Sequence, residues 1–273
     1  MSARMDKGDW QARIDAVQWF HEFDFGEGLR ARSRAPDVAD HRRIWRFIER
    51  QLDSIDFRGK SVLDIGAWDG YWSFYAERRG ARRVLASDDA TQNWADGGGL
   101  LLAKELLGSN VEVRQDLPVY ALQTLGRKFD VVMCFGVYYH LIDPFHAFAQ
   151  IRHCCHPSTL VLIEGDAGRN GMRADEARYR FADTRWPTFV PSAPLLKNLL
   201  AAAYLRVESQ AWLRPGLSRF VLGLAHHLKH HRTIDRTFID RAFTVCTPFE
   251  GANTLHTYEP PFGLKAYDTR FRV

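Results

Sequence analysis

From Lys60 onward, short apolar runs alternate with segments of helical periodicity, and this alternation limits the fold more than any other feature. SVLDIG is followed by YWSFYAERRG, and RRVLASD by LLLAKELLG. VEVRQD, FDVVMCFG, PFHAFAQIRHCC and TLVLIEG complete the series. A strand that is apolar along its whole length has both faces covered, and helices between successive strands provide the cover. Chain twist makes each such crossover right-handed. The expected fold class is therefore α/β, a doubly wound, mostly parallel sheet.

On either side of this series the pattern changes. Residues 9 to 52 read as helical. Trp10, Ile14, Val17 and the Trp19-Phe20 pair recur at near-helical spacing, and FDFGEGLRARSRAP then breaks the pattern. A second helix from about Asp37 to Leu52 carries Ile44, Phe47, Ile48 and Leu52 on one face. After Gly165, DAGRNGMRADEARYRFADTRW reads as an irregular excursion. A helix, PLLKNLLAAAY, and a strand, LRVESQAWL, follow it, and the last strand is RAFTVCT, residues 241–247. The roughly thirty residues between these two strands exceed an ordinary hairpin loop. Within them Leu217, Phe220, Val221, Leu224 and Leu228 form one helical stripe with basic residues opposite. The expected organisation is one domain. It has an N-terminal helical cap (1–58), a ligand-binding core (59–212), a late helical insertion or lid (213–240), and a last strand with a tail (241–273).

The formal net charge of +4 suits an anionic partner and an ordinary enzyme equally, and no basic run forms a nucleic-acid arm. No apolar run reaches membrane-spanning length, and MSARMDKGDWQARID lacks the apolar centre of a signal peptide, so the cytoplasm is the expected location. Cys134, Cys154, Cys155 and Cys246 show no C-x-x-C spacing, and Cys134 and Cys246 fall in apolar strand-like runs. His226 with His230 and His227 with His231 have i, i+4 spacing that can hold a metal. The pairs lie on adjacent helix faces without a carboxylate at ligand spacing, so a solvated basic face and no metal are expected. The stripe of that segment reads as a lid or a homodimer contact, and the tail offers a second dimer surface.

The stretch SVLDIGAWDGYWS, residues 61–73, reads as buried strand, glycine turn and helix. Ligands of open α/β sheets bind at the carboxyl ends of the strands. Asp64, Gly66 and Gly70 stand where the first of these strands ends, and Asp88 ends the next, placed to accept from a ribose diol; its neighbour Asp89 is the alternative. A P-loop needs a lysine after its last glycine, and none follows Gly70. A dinucleotide fingerprint G-x-G-x-x-G starting at Gly66 would put its second and third glycines at Trp68 and Tyr71, and a tryptophan obstructs approach to a pyrophosphate. S-adenosylmethionine has no pyrophosphate. It needs a cradle for an amino-acid moiety, a carboxylate for the ribose and an apolar slot for adenine. D-x-G-x-x-x-G followed by Asp88 supplies the first two. Asp116 after VEVRQ is placed for the adenine amino group, with Leu117 beside the ring. Trp68 offers an aromatic face to a sulfonium, whereas Trp72 sits at a spacing that packs the sheet.

GKSVLDIGAWDGYWSFYAERRGA, RVLASD, AKELLGSNVE, FDVVMCFGVYYHLIDPFHAF and LVLIEG occur in this order, and WFHEFDFGEGL precedes them. Over roughly residues 15 to 212 the chain resembles class I S-adenosylmethionine-dependent methyltransferases, in the branch of tRNA wobble-uridine (uridine-5-oxyacetate) methyltransferase-like proteins. The resemblance implies a seven-stranded Rossmann-like sheet and S-adenosylmethionine as cofactor. It puts the cofactor on Asp64, Gly66, Ala67, Trp68, Gly70, Asp88, Asp89, Asp116, Leu117 and Phe135. The end of FDVVMCFG would bring Tyr138, Tyr139 and His140 toward the methyl group, with Trp186 and Phe189 completing the acceptor lining.

His140, and His21 from the N-terminal cap, are the candidate general bases, because an imidazole accepts a proton near neutrality. The expected reaction is methyl transfer to an oxygen or nitrogen of a small-molecule acceptor. The alternatives are tRNA wobble-uridine modification with S-adenosylmethionine or its carboxylated form, which the resemblance implies, and a non-catalytic cofactor-binding partner or sensor.

Overall fold

The computed structural model describes residues 6–92, 97–169, 172–180, 188–214 and 240–250. In chain order its elements begin with α1 (Lys7–Asp15), β1 (Phe23–Gly26), β2 (Leu29–Ala31), α2 (Val38–Leu52), β3 (Ser61–Ile65), α3 (Tyr71–Arg78), β4 (Arg83–Ser87), α4 (Gly98–Leu107) and β5 (Glu112–Arg114). They continue with β6 (Phe129–Phe135), α5 (Pro144–His153), β7 (Cys155–Ala167), β8 (Ala177–Arg180), β9 (Thr188–Pro191), α6 (Ala193–Ala202), β10 (Leu205–Leu213) and β11 (Asp240–Pro248). Seven strands make one sheet in the order β10-β11-β7-β6-β3-β4-β5. Pairs β3–β4, β4–β5 and β6–β7 are parallel, while β7–β11 and β11–β10 are antiparallel. The mostly parallel sheet expected from the alternation is present, with the seven strands that the resemblance implies.

The chain divides into two compact units: residues up to Arg43 with Asp56–Val119, and Ile44–Ile55 with the residues from Tyr120 onward. In the first unit β3 is buried at all five positions, and β4 at its last four. Fully burying a side chain such as Leu63 or Leu85 stabilises by roughly 1.5–3 kcal/mol. The N-terminal segment differs from its expectation. The periodicity through Trp19-Phe20 predicts a helix to that point, yet α1 ends at Asp15. The competing interaction is tertiary: the Trp19 indole donates to the Ile14 carbonyl, and the amides of Phe20 and His21 donate to Asp69 instead of continuing a helix. FDFGEGLRA is a hairpin, β1 with β2, and its turn uses positive φ at Gly26, Glu27 and Gly28.

In the second unit, Asp143 caps α5 with Pro144 at the first turn, and Ser192 caps α6. Phe47 of α2 meets Phe243 of β11 edge-on. The stretch after Gly165 is not wholly irregular, because β8 pairs antiparallel with β9. All four cysteines are free and buried, and burial pushes the Cys154 and Cys155 thiols up to about 12, which leaves them unreactive. Trp186, the Leu217–Leu228 stripe, the four clustered histidines and the tail beyond Glu250 lie outside the described residues. Among the described residues no helix is long and apolar enough to cross a membrane, and no group of three or more His, Cys, Asp or Glu side chains is arranged to hold a metal.

Candidate functional site

Beyond Ile65 the chain reverses through Gly66–Gly70 into α3. Gly66, Trp68 and Gly70 all adopt positive φ, at 68°, 57° and 81°. A Cβ on Gly70 would lie 2.3 Å from Leu100 Cδ1 and 2.6 Å from Phe74 Cε2, so both the dihedral and the close approach of α4 require glycine there. Trp68 occupies a conformation that costs a non-glycine residue about 1 kcal/mol or more. Four amides of the turn are bonded internally. Those of Gly66 and Ala67 donate to the Ser87 carbonyl, that of Trp68 to Asp88 Oδ2 at 3.1 Å, and that of Gly70 to the Ala67 carbonyl. A phosphate-binding turn aims such groups at an anion. This one aims them at its own strands, which disfavours a pyrophosphate and leaves the reading of a phosphate-free nucleoside.

Asp64, at the inner end of the turn, is 2% exposed and accepts from the Ser73 hydroxyl at 2.6 Å. Burial pushes its carboxyl up to about 7, against the lowering effect of that hydrogen bond, and the nearby charges of Asp88 and Asp69 push the same way as burial. Asp88 is also buried. Its two oxygens take the amides of Trp68 and Asp89, which fix the carboxylate in one orientation. Asp89 is committed elsewhere, because its Oδ1 accepts both the amide and the hydroxyl of Thr91. Leu117 is brought to Asp88: its amide donates to the Asp88 carbonyl and its side chain is buried. The Asp116 carboxylate is not brought there. It is 74% exposed and forked onto Arg114, and that hydrogen bond holds it below the usual carboxylate range.

Asp69 is a residue the sequence did not single out. Its carboxylate accepts the amides of Phe20 and His21 at 3.0 and 2.7 Å, and His21 Nδ1 lies 2.7 Å from Oδ1. Both side chains are buried, and the His21 ring stacks on Tyr71 with centroids 4.7 Å apart. Phe20 comes within 6.0 Å of the Trp68 ring. Trp72 is buried, edge-on to Tyr71, as its spacing implied.

The second unit holds the other candidates in and after β6. Phe135 packs on Phe243. Tyr138, Tyr139 and His140 form one 3-10 turn, with the His140 ring against Tyr139 at 4.2 Å. Tyr138 is a core residue: it is 1% exposed and its hydroxyl donates to the Asp166 carbonyl at 2.6 Å. Burial pushes the phenols of Tyr138 and Tyr139 up, so neither serves as a base near neutrality. Arg241 binds both oxygens of Glu164, at 2.7 and 2.6 Å, and Asp166 at 2.9 Å, and its guanidinium lies 4.7 Å from the Tyr139 ring centre. A Cβ on Gly165 would strike both tyrosine rings, so that glycine is what lets them lie against β7. Phe189 is buried in β9 against Tyr179.

A family model described as a methyltransferase domain matches residues 36–210. A tRNA U34 carboxymethyltransferase from Methylococcus capsulatus is 30% identical over 167 residues, which are 59% of this chain and 49% of that protein. The chain spans about half the length of the first curated relatives it matches. The N-terminal domain of EvdMO1, solved with SAH and D-fucose, superposes with a TM-score of 0.58 at 17% identity, covering 91% of this chain and all of that one. The 1,6-didemethyltoxoflavin-N1-methyltransferase of Burkholderia thailandensis superposes with a TM-score of 0.53 at 16% identity over 84% of this chain and 100% of its own.

Proposed function

The chain belongs to the methyltransferase-domain family, and on that premise we propose that it transfers the methyl group of S-adenosylmethionine to an oxygen or nitrogen of a small-molecule acceptor. The observation that carries this reading is the Asp88 carboxylate, locked by the Trp68 and Asp89 amides beside a turn that bonds the amides of Gly66, Ala67, Trp68 and Gly70 internally. In this reading the oriented carboxylate accepts from a ribose diol, and the amides bonded within the turn are not aimed at a phosphate. Gly66, Ala67 and Gly70 shape the turn for the methionine half, Leu117 serves the adenine, and Phe135 is a further cofactor contact in this reading. The methyl carbon of a sulfonium is already activated, so alignment and exclusion of water supply much of the rate. His140 or His21 takes a proton only if the acceptor must lose one, and Tyr139, Phe189 and Trp186 are the acceptor lining in this reading.

A second reading is favoured by the relatives named tRNA U34 carboxymethyltransferase. In it the acceptor is a tRNA wobble uridine and the cofactor is S-adenosylmethionine or its carboxylated form. Calorimetry with S-adenosylmethionine and S-adenosylhomocysteine tests the shared premise. Asp88→Ala should weaken binding by at least about tenfold, because hydrogen bonds to a charged group contribute about 1.5–3 kcal/mol each, and equal affinity would remove Asp88 from the site. Titration with tRNA at two salt concentrations separates the two acceptors. Binding that weakens steeply with salt supports the second reading, and no binding at either concentration supports the first.

A further inference from the structure

The N-terminal segment is bonded to the middle of the cofactor turn. Asp69 lies between Trp68 and Gly70, both at positive φ, and the three hydrogen bonds to its carboxylate all come from Phe20 and His21. A buried carboxylate is retained in a fold when such donors replace its water, and each charge-assisted bond is stronger than a neutral one. The contact is tight as well as polar. A Cβ on Gly99, at the start of α4, would lie 3.3 Å from Val17 Cγ1, 3.4 Å from Asp69 Cβ and 3.4 Å from Trp19 Cε3. Residues 17–21 are thus held between the turn and α4, with the His21 ring stacked on Tyr71 and the Phe20 ring tilted beside Trp68.

The residue before Asp69 is the one whose amide orients Asp88. One backbone conformation therefore does two things: it aims the Trp68 amide at the candidate ribose acceptor and the Asp69 carboxylate at the N-terminal segment. A ligand that fixes Asp88 fixes this conformation, and with it the docking of Phe20 and His21.

We propose that Asp69 is a positioning residue that makes Trp19–His21 a wall of the cofactor site, so that cofactor binding and docking of that segment are one linked equilibrium. The inference rests on the reading that the turn binds S-adenosylmethionine. Linkage is reciprocal: what the cofactor adds to docking, docking adds to cofactor affinity.

The test uses the full chain, S-adenosylhomocysteine as probe, and hydrogen exchange resolved at the Phe20 and His21 amides. In the wild type the probe should slow exchange at both amides by at least about fivefold, the lower end of typical coupling. Asp69→Asn places an amide group where three donors converge. It should lose that protection and bind the probe about tenfold more weakly, within the same range of coupling. His21→Phe keeps a ring on Tyr71 and drops one of the three bonds, and should show a smaller loss of affinity. Asp69→Glu, which restores a carboxylate, should recover part of it. A role confined to stability would lower the melting temperature of these variants while leaving probe affinity and probe-dependent protection as in the wild type, and that result overturns the proposal. Wild-type binding with unchanged exchange at Phe20 and His21 overturns it too, without any variant. Absence of probe binding by the wild type removes the cofactor reading itself, and this inference with it.

Discussion

The two units bury acidic groups in opposite ways. Around the turn of the first unit, Asp64 meets the hydroxyl and backbone amide of Ser73 and two neighbouring carboxylates, and Asp69 accepts from two amides and a histidine. At the corresponding depth of the second unit, Glu164 and Asp166 share one guanidinium, Arg241. The second arrangement carries its own cation, since one guanidinium is bonded to both carboxylates within the cluster. The first leaves Asp64 titrating near neutrality, and among the described residues no lysine or arginine pairs with it. An ionic cluster that contains its own cation holds strands together. A turn whose Asp64 has no lysine or arginine partner among the described residues suits a ligand that carries ammonium and sulfonium charge.

The largest effect that would test this contrast is at Arg241. Arg241→Ala leaves two buried carboxylates facing each other, and removal of one partner from a buried ion pair costs about 3–5 kcal/mol. Urea denaturation should show that loss, and a shift under 1 kcal/mol would mean that water reaches the cluster and the contrast is false. Next in size is Asp64. Its carboxyl is raised from the ordinary 3.8 to about 7 in the folded chain, so the folded state binds the proton more tightly than the unfolded one. The resulting stabilisation is fully present below about pH 4 and is lost as pH rises through about 7. Asp64→Asn keeps an acceptor for Ser73 and removes the titration. Its stability relative to the wild type should therefore climb between pH 4 and 7 by on the order of 2 to 4 kcal/mol, then stay level. Parallel curves for the two proteins would place Asp64 in contact with water.

The same contrast separates what was legible in the sequence from what was not. The turn was legible because its signals are local: Asp64, Gly66 and Gly70 fall within seven residues, and Asp88 follows a second apolar run. The mostly parallel sheet was legible for the same reason, strand by strand. The partners of the buried acids were not. Asp69 meets His21 across 48 positions, and Arg241 meets Glu164 across 77. A lone aspartate in a turn and a lone arginine at the start of a strand carry no mark of such pairings. Tyr138 was read as acceptor lining from its place after a strand, yet the absence of a side chain at Gly165 lets its ring sink against β7. FDFGEGLRA was legible as a break but not as a hairpin, while the spacing through Trp19-Phe20 mimicked a longer helix that tertiary capture of the Phe20 and His21 amides prevents.

The smallest effect concerns Asp116, where a signal was present in the sequence and pointed away from the site. In VEVRQD, Arg114 and Asp116 are two residues apart at the end of a strand, and alternate residues of a strand share a face. The structure pairs them in a two-pronged contact at the surface. Exposed pairs of this kind contribute little to stability, and a carboxylate held by a neighbouring arginine has little reason to turn toward an adenine amino group. Asp116→Ala should therefore leave the affinity for S-adenosylhomocysteine unchanged within error, and the melting temperature likewise. Leu117→Ala, which opens the buried position whose amide bonds the Asp88 carbonyl, should weaken that affinity. If calorimetry found the reverse order, with Asp116 costly and Leu117 neutral, the Asp116 carboxylate would have to leave Arg114 when the cofactor binds. The first unit would then recruit a surface charge to its site, and the division between an acidic turn built for a ligand and a cluster that carries its own cation would need to be redrawn around that movement.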